Sequence, residues 1–407
     1  MNIQGDNMAS VKRGNRGIIL NLLHRHGEMS RKRLAEKMKL SPAAITLITG
    51  EMINEGLLCE CHAQKASGNT GRREVPLKIA YSSFVALGIS LNLSEAVLSA
   101  TMLNGKPAFS QTISINSDDS AHDTAEKLSK SLLQLTKKNN IDSDQVIGLG
   151  IAVRGVVDVE GSHSIHSFGT FKEKNVPLRK LFSDATNLPV TLDNNVRSMF
   201  RSHIFFTNES YSSQIFVRCE RGIGGAISID GQLLLGSRGM CAELGHVPVF
   251  EQGGKLCFCG KHGCLETISS TTAIMDDVSA IFSKEKTPLL HRLTGGHFER
   301  INLPFIFKAA SDGDLEVDSI IQNAASKLSH VLKTITYAID PGEILLYGSI
   351  FEHEYYLESL HKHFARGSEP DSRNFIKKCS LNLTLEDKSA CVIAIERFFA
   401  DGGIIHL

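Results

Sequence analysis

Glu243-Leu-Gly-His246, followed by Cys257-Phe-Cys259 and Gly263-Cys264-Leu-Glu266, is the stretch on which the reading of this chain turns. It sets one histidine, His246, beside three cysteines, Cys257, Cys259 and Cys264, the last three spaced C-x-C-x4-C. Thiolate and imidazole are the donors a tetrahedral zinc prefers, and four protein ligands leave no position for water. The expected cofactor is therefore a structural Zn2+. Its value lies in what it would brace, the carboxylates Glu243 and Glu266 at either end of the stretch.

Outward from this segment, the 407 residues are 42% hydrophobic and 22% charged, enough for two or three domains with cores of their own. No apolar run approaches the roughly 18 residues needed to span a bilayer, and the polar start Met1–Ser10 is unlike a signal peptide, so no membrane insertion is expected. Nine unevenly spaced cysteines point to a reducing cytoplasm. Cys59-Glu-Cys61 lacks the C-x-x-C spacing of a redox pair and reads as two reduced thiols on one face of a strand.

The net charge of zero hides an asymmetry. Residues 1–80 carry 13 Lys+Arg against 7 Asp+Glu, so the remainder is mildly acidic. A basic module on an acidic body suggests a polyanionic partner for the first part only.

That first module reads as three short helices and a hairpin. Ile18, Ile19, Leu22 and Leu23 make a helical stripe that stops at Gly27; Ser30 caps a second helix; Ser41-Pro42 opens a third that closes at Gly56. Leu57–Ala63 and Val75–Ala80 alternate as strands around the loop Gln64–Arg73. This is the plan of a winged helix-turn-helix, with the third helix in the major groove of double-stranded DNA. Its outward face would present Ala43, Ala44, Thr46, Leu47 and Thr49. Arg72 and Arg73 at the wing tip would reach phosphates or the minor groove.

From Tyr81 the texture is α/β. Phe84–Ser90, Ala96–Met102 and Gln145–Ala152 are strand-like and Thr124–Lys138 is an amphipathic helix; the alternation resumes after Pro189. Two α/β lobes flanking a cleft are expected, with domains at 1–80, 81–189 and 190–385. Residues 386–407 should form a helix that packs back on the first lobe.

Together, Gly222-Ile-Gly224-Gly225-Ala, Glu243-Leu-Gly-His246 and the Cys257–Glu266 block resemble the signature of the ROK family of repressors and sugar kinases. The first module, with Asn15-Arg16, Ser30-Arg31, Leu40-Ser41 and Gly71-Arg72-Arg73, is similar to the DNA-binding head of its repressor branch. The resemblance implies an actin-like two-lobed ATPase fold after the head. It implies sugar contacts at Gly155, Asn194, Asn195, Glu243, His246 and Glu266, and DNA contacts at Arg16, Ser41, Ala43, Thr46, Arg72 and Arg73. It also places the fourth metal ligand at His246 and not at His262.

The departures from the kinase pattern are as informative as the matches. Where family kinases carry an aspartate-glycine-glycine-threonine phosphate loop, this chain reads Gly88-Ile-Ser90-Leu-Asn92. The catalytic aspartate is replaced by Asn195, and an amide has no protonation step that serves a general base. Glu220-Arg221-Gly222 stands in for the second phosphate loop, and Tyr347-Gly348 for the adenosine-side double glycine. Four such losses argue against phosphoryl transfer. The expected protein is a dimeric or higher-order transcriptional regulator, no enzyme, whose operator binding responds to a sugar or sugar phosphate. The alternative is control by a protein partner such as a sugar-transport component.

Overall fold

The computed structural model describes residues 8–61, 74–116, 118–207, 212–250, 253–365, 375–379 and 385–405. The wing-tip pair Arg72 and Arg73 lies outside the described residues. The chain divides into two compact units, Met1–Asn208 with Thr384–Leu407, and Glu209–Leu383.

In the first unit, α1 (Met8–His26), α2 (Arg31–Met38) and α3 (Pro42–Asn54) precede a small antiparallel sheet of β1 (Met29–Ser30), β2 (Leu58–Glu60) and β3 (Pro76–Ile79) in the order β1-β3-β2. Local chemistry sets the helix starts. Ser30 Oγ accepts from Arg33 N, and Ser41 Oγ accepts from Ala44 N with Pro42 next in line. Ile45, Ile48, Thr49 and Met52 recur at the spacing of one helical face and turn inward. Thr49, expected to face outward, is fully buried and accepts from Arg31 Nε at 3.1 Å. Ser41, Ala43, Thr46 and Leu47 remain exposed.

A second sheet follows: β4 (Val85–Leu91), β5 (Glu95–Met102), β6 (Pro107–Ser114), β7 (Val146–Val153) and β10 (Val190–Asn194), in the order β10-β7-β4-β5-β6. Helices α4 (Ala121–Lys138) and α5 (Leu178–Thr186) and the short hairpin β8 (Val156–Val157) and β9 (Ser164–His166) accompany it, and α6 (Asn195–Phe206) continues directly from β10. The boundary expected at 189/190 is therefore corrected. β10 pairs parallel with β7 from Val190↔Leu149 to Asn194↔Val153, so residues 190–208 belong to the first unit.

The second unit is built on β11 (Ser213–Cys219), β12 (Ile223–Ile229), β13 (Gln232–Leu233), β14 (Glu343–Tyr347) and β15 (Ile376–Lys378), ordered β13-β12-β11-β14-β15. Its helices are α7 (Glu266–Ser269), α8 (Thr271–Ile281), α9 (Pro288–Thr294), α10 (Leu303–Ser311), α11 (Leu315–Ile339) and α12 (Glu354–Phe364). Ile321, Leu328 and Leu332 of α11 are sealed in its core with Ile215 and Ile344 of the sheet.

The last helix, α13 (Leu385–Ala400), lies against β4, β7 and α6 in the first unit and also meets α1. Ile395, Phe398 and Phe399 share one buried cluster with Ile19, Leu20 and Leu23 of the head and with Ala86 and Ile147 of the sheet. Burial of each large apolar side chain is worth about 2 kcal/mol, so the head is anchored rather than tethered. Gly17 is the point of closest approach, where a Cβ would lie 2.8 Å from Phe399 O.

Arg16, expected at the DNA, is placed here instead. It is 3% exposed; Nε donates to Gly402 O at 2.7 Å and the fork pairs with the Glu55 carboxylate. Its guanidinium is committed inside the protein. Arg16→Ala is expected to cost about 1–3 kcal/mol in thermal unfolding while leaving the salt dependence of DNA binding unchanged. A shallower salt slope in that variant would return Arg16 to the DNA.

Candidate metal centre and effector-facing residues

The candidate metal centre is assembled from two tight loops of the second unit. The single 3-10 turn Leu244–His246 brings His246 up beside β12. Gly245 makes this possible, because a Cβ there would sit 2.1 Å from Ile223 O. Isolated bridges Pro248↔Cys264 and Leu256↔His262 fold the cysteine segment over it, and Gly260 N donates to Cys257 O to close the knuckle.

The ligand atoms of His246, Cys257, Cys259 and Cys264 all lie within 4.8 Å of one another. Cys257 Sγ is 3.4 Å from His246 Nδ1, and Cys259 Sγ is 3.6 Å from Cys264 Sγ. A tetrahedron with metal–sulfur bonds of about 2.3 Å has edges of about 3.6–3.8 Å, so the four donors fit such an ion. His262, the rival ligand, is exposed and donates from Nδ1 to Gly254 O at 2.9 Å, outside the cluster. Burial, reinforced by neighbouring thiols, pushes the Cys264 thiol up to about 12 and also raises Cys257. Deprotonated sulfur here needs a cation beside it.

Glu266 begins α7 and is buried. Its Oε2 accepts from Ile223 N at 3.0 Å, and Oε1 lies 4.0 Å from Cys257 Sγ. The signature run Gly222–Ala226 thus orients one carboxylate through the backbone of β12, a link that no sequence spacing announced. Glu243 is half-buried and immediately precedes the turn that carries His246.

Gly155, Asn194 and Asn195 belong to the first unit. Asn194 caps α6: its Oδ1 accepts from Val196 N and Arg197 N, and its Nδ2 donates to Gly155 O at 2.6 Å. One amide hydrogen is left over from these bonds. Asn195 is half-buried, with Oδ1 accepting from Val196 N at 2.9 Å. Arg197 is buried, Nε donating to Asp193 Oδ1 at 2.6 Å.

Within Glu220-Arg221-Gly222, Glu220 Oε1 accepts from Ser349 N at 2.5 Å and Oε2 accepts from Ser349 Oγ at 2.9 Å. A carboxylate thus occupies the N–H and hydroxyl donors that follow Tyr347-Gly348.

A winged head, two sheet-centred units and a one-histidine, three-cysteine cluster define a DNA-binding regulator built on a sugar-kinase fold. The chain belongs to the ROK family, whose profile matches residues 95–381, and residues 15–58 match a winged helix-turn-helix DNA-binding family. It is 29% identical over 360 residues to the DNA-binding transcriptional dual regulator NagC of Escherichia coli, covering 85% of this chain and 83% of that one. It is 26% identical over 361 residues to the xylose repressor of Caldicellulosiruptor bescii, covering 87% and 88%. A crystal structure of a ROK family transcriptional regulator, a homologue of the Escherichia coli Mlc protein, superposes with a TM-score of 0.79 at 25% identity, covering 97% and 98%. Among the described residues no helix is long and apolar enough to cross a membrane.

Proposed function

We propose that this protein is a cytoplasmic transcriptional repressor of a carbohydrate operon, released from its operator by a sugar or sugar phosphate that it binds without phosphorylating. The observation that carries this reading is the pairing of a kept sugar-side set with a lost catalytic set. His246 belongs to a cluster suited to zinc, with Glu243 and Glu266 close to its ligands in the chain, while Asn195 replaces the base and Glu220 accepts from Ser349 beside the altered Tyr347-Gly348 pair. Similarity to sugar-named repressors supports the same conclusion.

Carboxylates suit sugar recognition because each accepts from two neighbouring hydroxyls, and a ligand that leaves them unpaired is rejected. Gly155, Asn194 and Asn195 of the first unit are proposed as further sugar contacts on the strength of the family resemblance. The functional unit is a homodimer or a higher oligomer of it, since one head reads too few bases and paired heads give half-site spacing. Exposed Ser41, Ala43 and Thr46 with wing residues Arg72 and Arg73 form the proposed DNA contacts.

Calorimetry of the full chain with glucose, xylose, N-acetylglucosamine and their phosphate esters, repeated with ATP in a coupled assay, tests the proposal. One of these sugars is expected to bind, with no turnover. Glu266→Gln should weaken that binding about 10–100-fold. Turnover that disappears on changing Asn195 would overturn the reading.

A further inference from the structure

Helix α6 joins two places that the proposed function uses separately. At its start, Asn194 is the cap and is bonded to Gly155. At its end, Phe205 O accepts from Nε2 of His24 in α1 at 2.7 Å, and the two rings stack with centroids 4.0 Å apart. With Nε2 as donor, His24 Nδ1 is the acceptor for the Tyr81 hydroxyl at 3.3 Å. Phe399 of α13 closes the junction, with centroids 5.8 Å from His24 and 5.6 Å from Phe205.

Between these ends the helix is locked to its surroundings by charge. Asp193 Oδ1 accepts from Arg197 Nε, Asp193 Oδ2 accepts from Arg201 Nε at 2.9 Å, and Arg201 reaches Glu396 of α13 at 3.2 Å. Val196, Met199, Phe200 and Ser202 are all buried. Twelve residues rising about 1.5 Å each make a strut of about 18 Å. A helix packed this tightly moves as a body, since close-packed interiors pass strain on rather than absorb it.

We propose that α6 is the transmission element of this protein, carrying a change at Gly155–Asn194–Asn195 to the DNA-binding head through the His24–Phe205 contact. A ligand oxygen that accepts the remaining Asn194 amide hydrogen pulls on the side chain that both caps the helix and holds Gly155 O, and so resets the start of the strut. The displacement emerges at Phe205, where the His24 bond and the ring stack hold α1. Burial under the phenyl rings keeps the His24 imidazole below its ordinary value, so at neutral pH it carries the single Nε2 hydrogen that this bond needs. The proposal takes the identity of the occupant from the sugar reading, but the mechanical link is independent of it.

Two arms of one experiment on the full chain test this. In the first, DNA selected from random duplexes is titrated with and without glucose, xylose and N-acetylglucosamine. A sugar that binds the parent protein should bind Phe205→Leu and His24→Gln within about 2-fold, while its effect on DNA affinity falls at least about 10-fold. An undiminished effect in both variants overturns the proposal. In the second arm, which needs no sugar, Arg201→Met cuts the link between α6 and α13. Amide exchange across α1 should rise about 10-fold, with Arg201→Lys partly restoring the parent rate. Parent-like exchange in Arg201→Met and in Phe205→Leu overturns the relay even if sugars act. Faster exchange with no active sugar upholds the relay and sinks the sugar reading alone.

Discussion

Cys264→Ser is expected to abolish effector binding and to unfold the second unit about 10 °C earlier than the parent protein. The sulfur lies 3.6 Å from Cys259 Sγ in the four-donor cluster, and its loss leaves a three-ligand set. Structural zinc contributes folding energy outright, because no preformed site exists in the unfolded chain. Loss of about 3 kcal/mol shifts the midpoint of a unit of this size by roughly 6–12 °C. The functional consequence follows from the neighbourhood. Glu266 Oε1 is 4.0 Å from Cys257 Sγ, and Glu243 directly precedes the turn that carries His246. Loosening the cluster therefore disorders the carboxylates proposed to read the sugar, and affinity should fall by at least about 100-fold. Elemental analysis of protein purified without chelator should give about one zinc per chain. A metal-free protein that binds its sugar normally, or a Cys264→Ser variant with unchanged melting, would remove the metal from the account.

The second large effect is expected at the operator. Replacing Arg72 and Arg73 by alanine together should lower DNA affinity by about 10–100-fold at moderate salt. The log–log salt dependence should become shallower by about 1.8, or about 0.9 for each phosphate left without its guanidinium. The exposed face of α3 should behave differently. Ser41, Ala43 and Thr46 project from the helix expected in the major groove, so a change at Thr46 should alter sequence preference by about 1–3 kcal/mol with little effect on the salt slope. Fluorescence anisotropy on selected and scrambled duplexes across a salt series separates the two behaviours. An Arg72→Ala, Arg73→Ala protein with the parent slope would mean that the wing does not touch the backbone.

The histidine–cysteine cluster was legible because its chemistry is local. Three cysteines and a histidine in one short stretch have few other uses, and the choice of His246 over His262 agrees with the geometry. The head was legible for a related reason: caps such as Ser30 and Ser41 act within four residues. What escaped the sequence is long-range. The parallel pairing of β10 with β7 depends on contacts some forty residues apart, and nothing in Val190–Leu192 distinguishes a strand of the first sheet from one of the second. Arg16 has the composition of a DNA contact and the partners of a core residue, which only the position of Gly402 reveals. Thr49 is a lesson in periodicity: it falls at the same helical spacing as Ile45 and Met52, and its hydroxyl is accommodated by bonding Ile45 O at 2.8 Å.

The clasp between Arg16 and Gly402 also bears on how the protein is made. These partners are 386 residues apart in sequence. At about 5–20 residues per second, a ribosome needs on the order of 20–80 s to travel from one to the other. Throughout that interval the head exists as a sequence without its supporting surface, since Phe398 and Phe399 have not yet been synthesised. The module that binds DNA thus emerges well before the helix that completes it, and a nascent chain cannot present a finished head until Phe398 and Phe399 have followed.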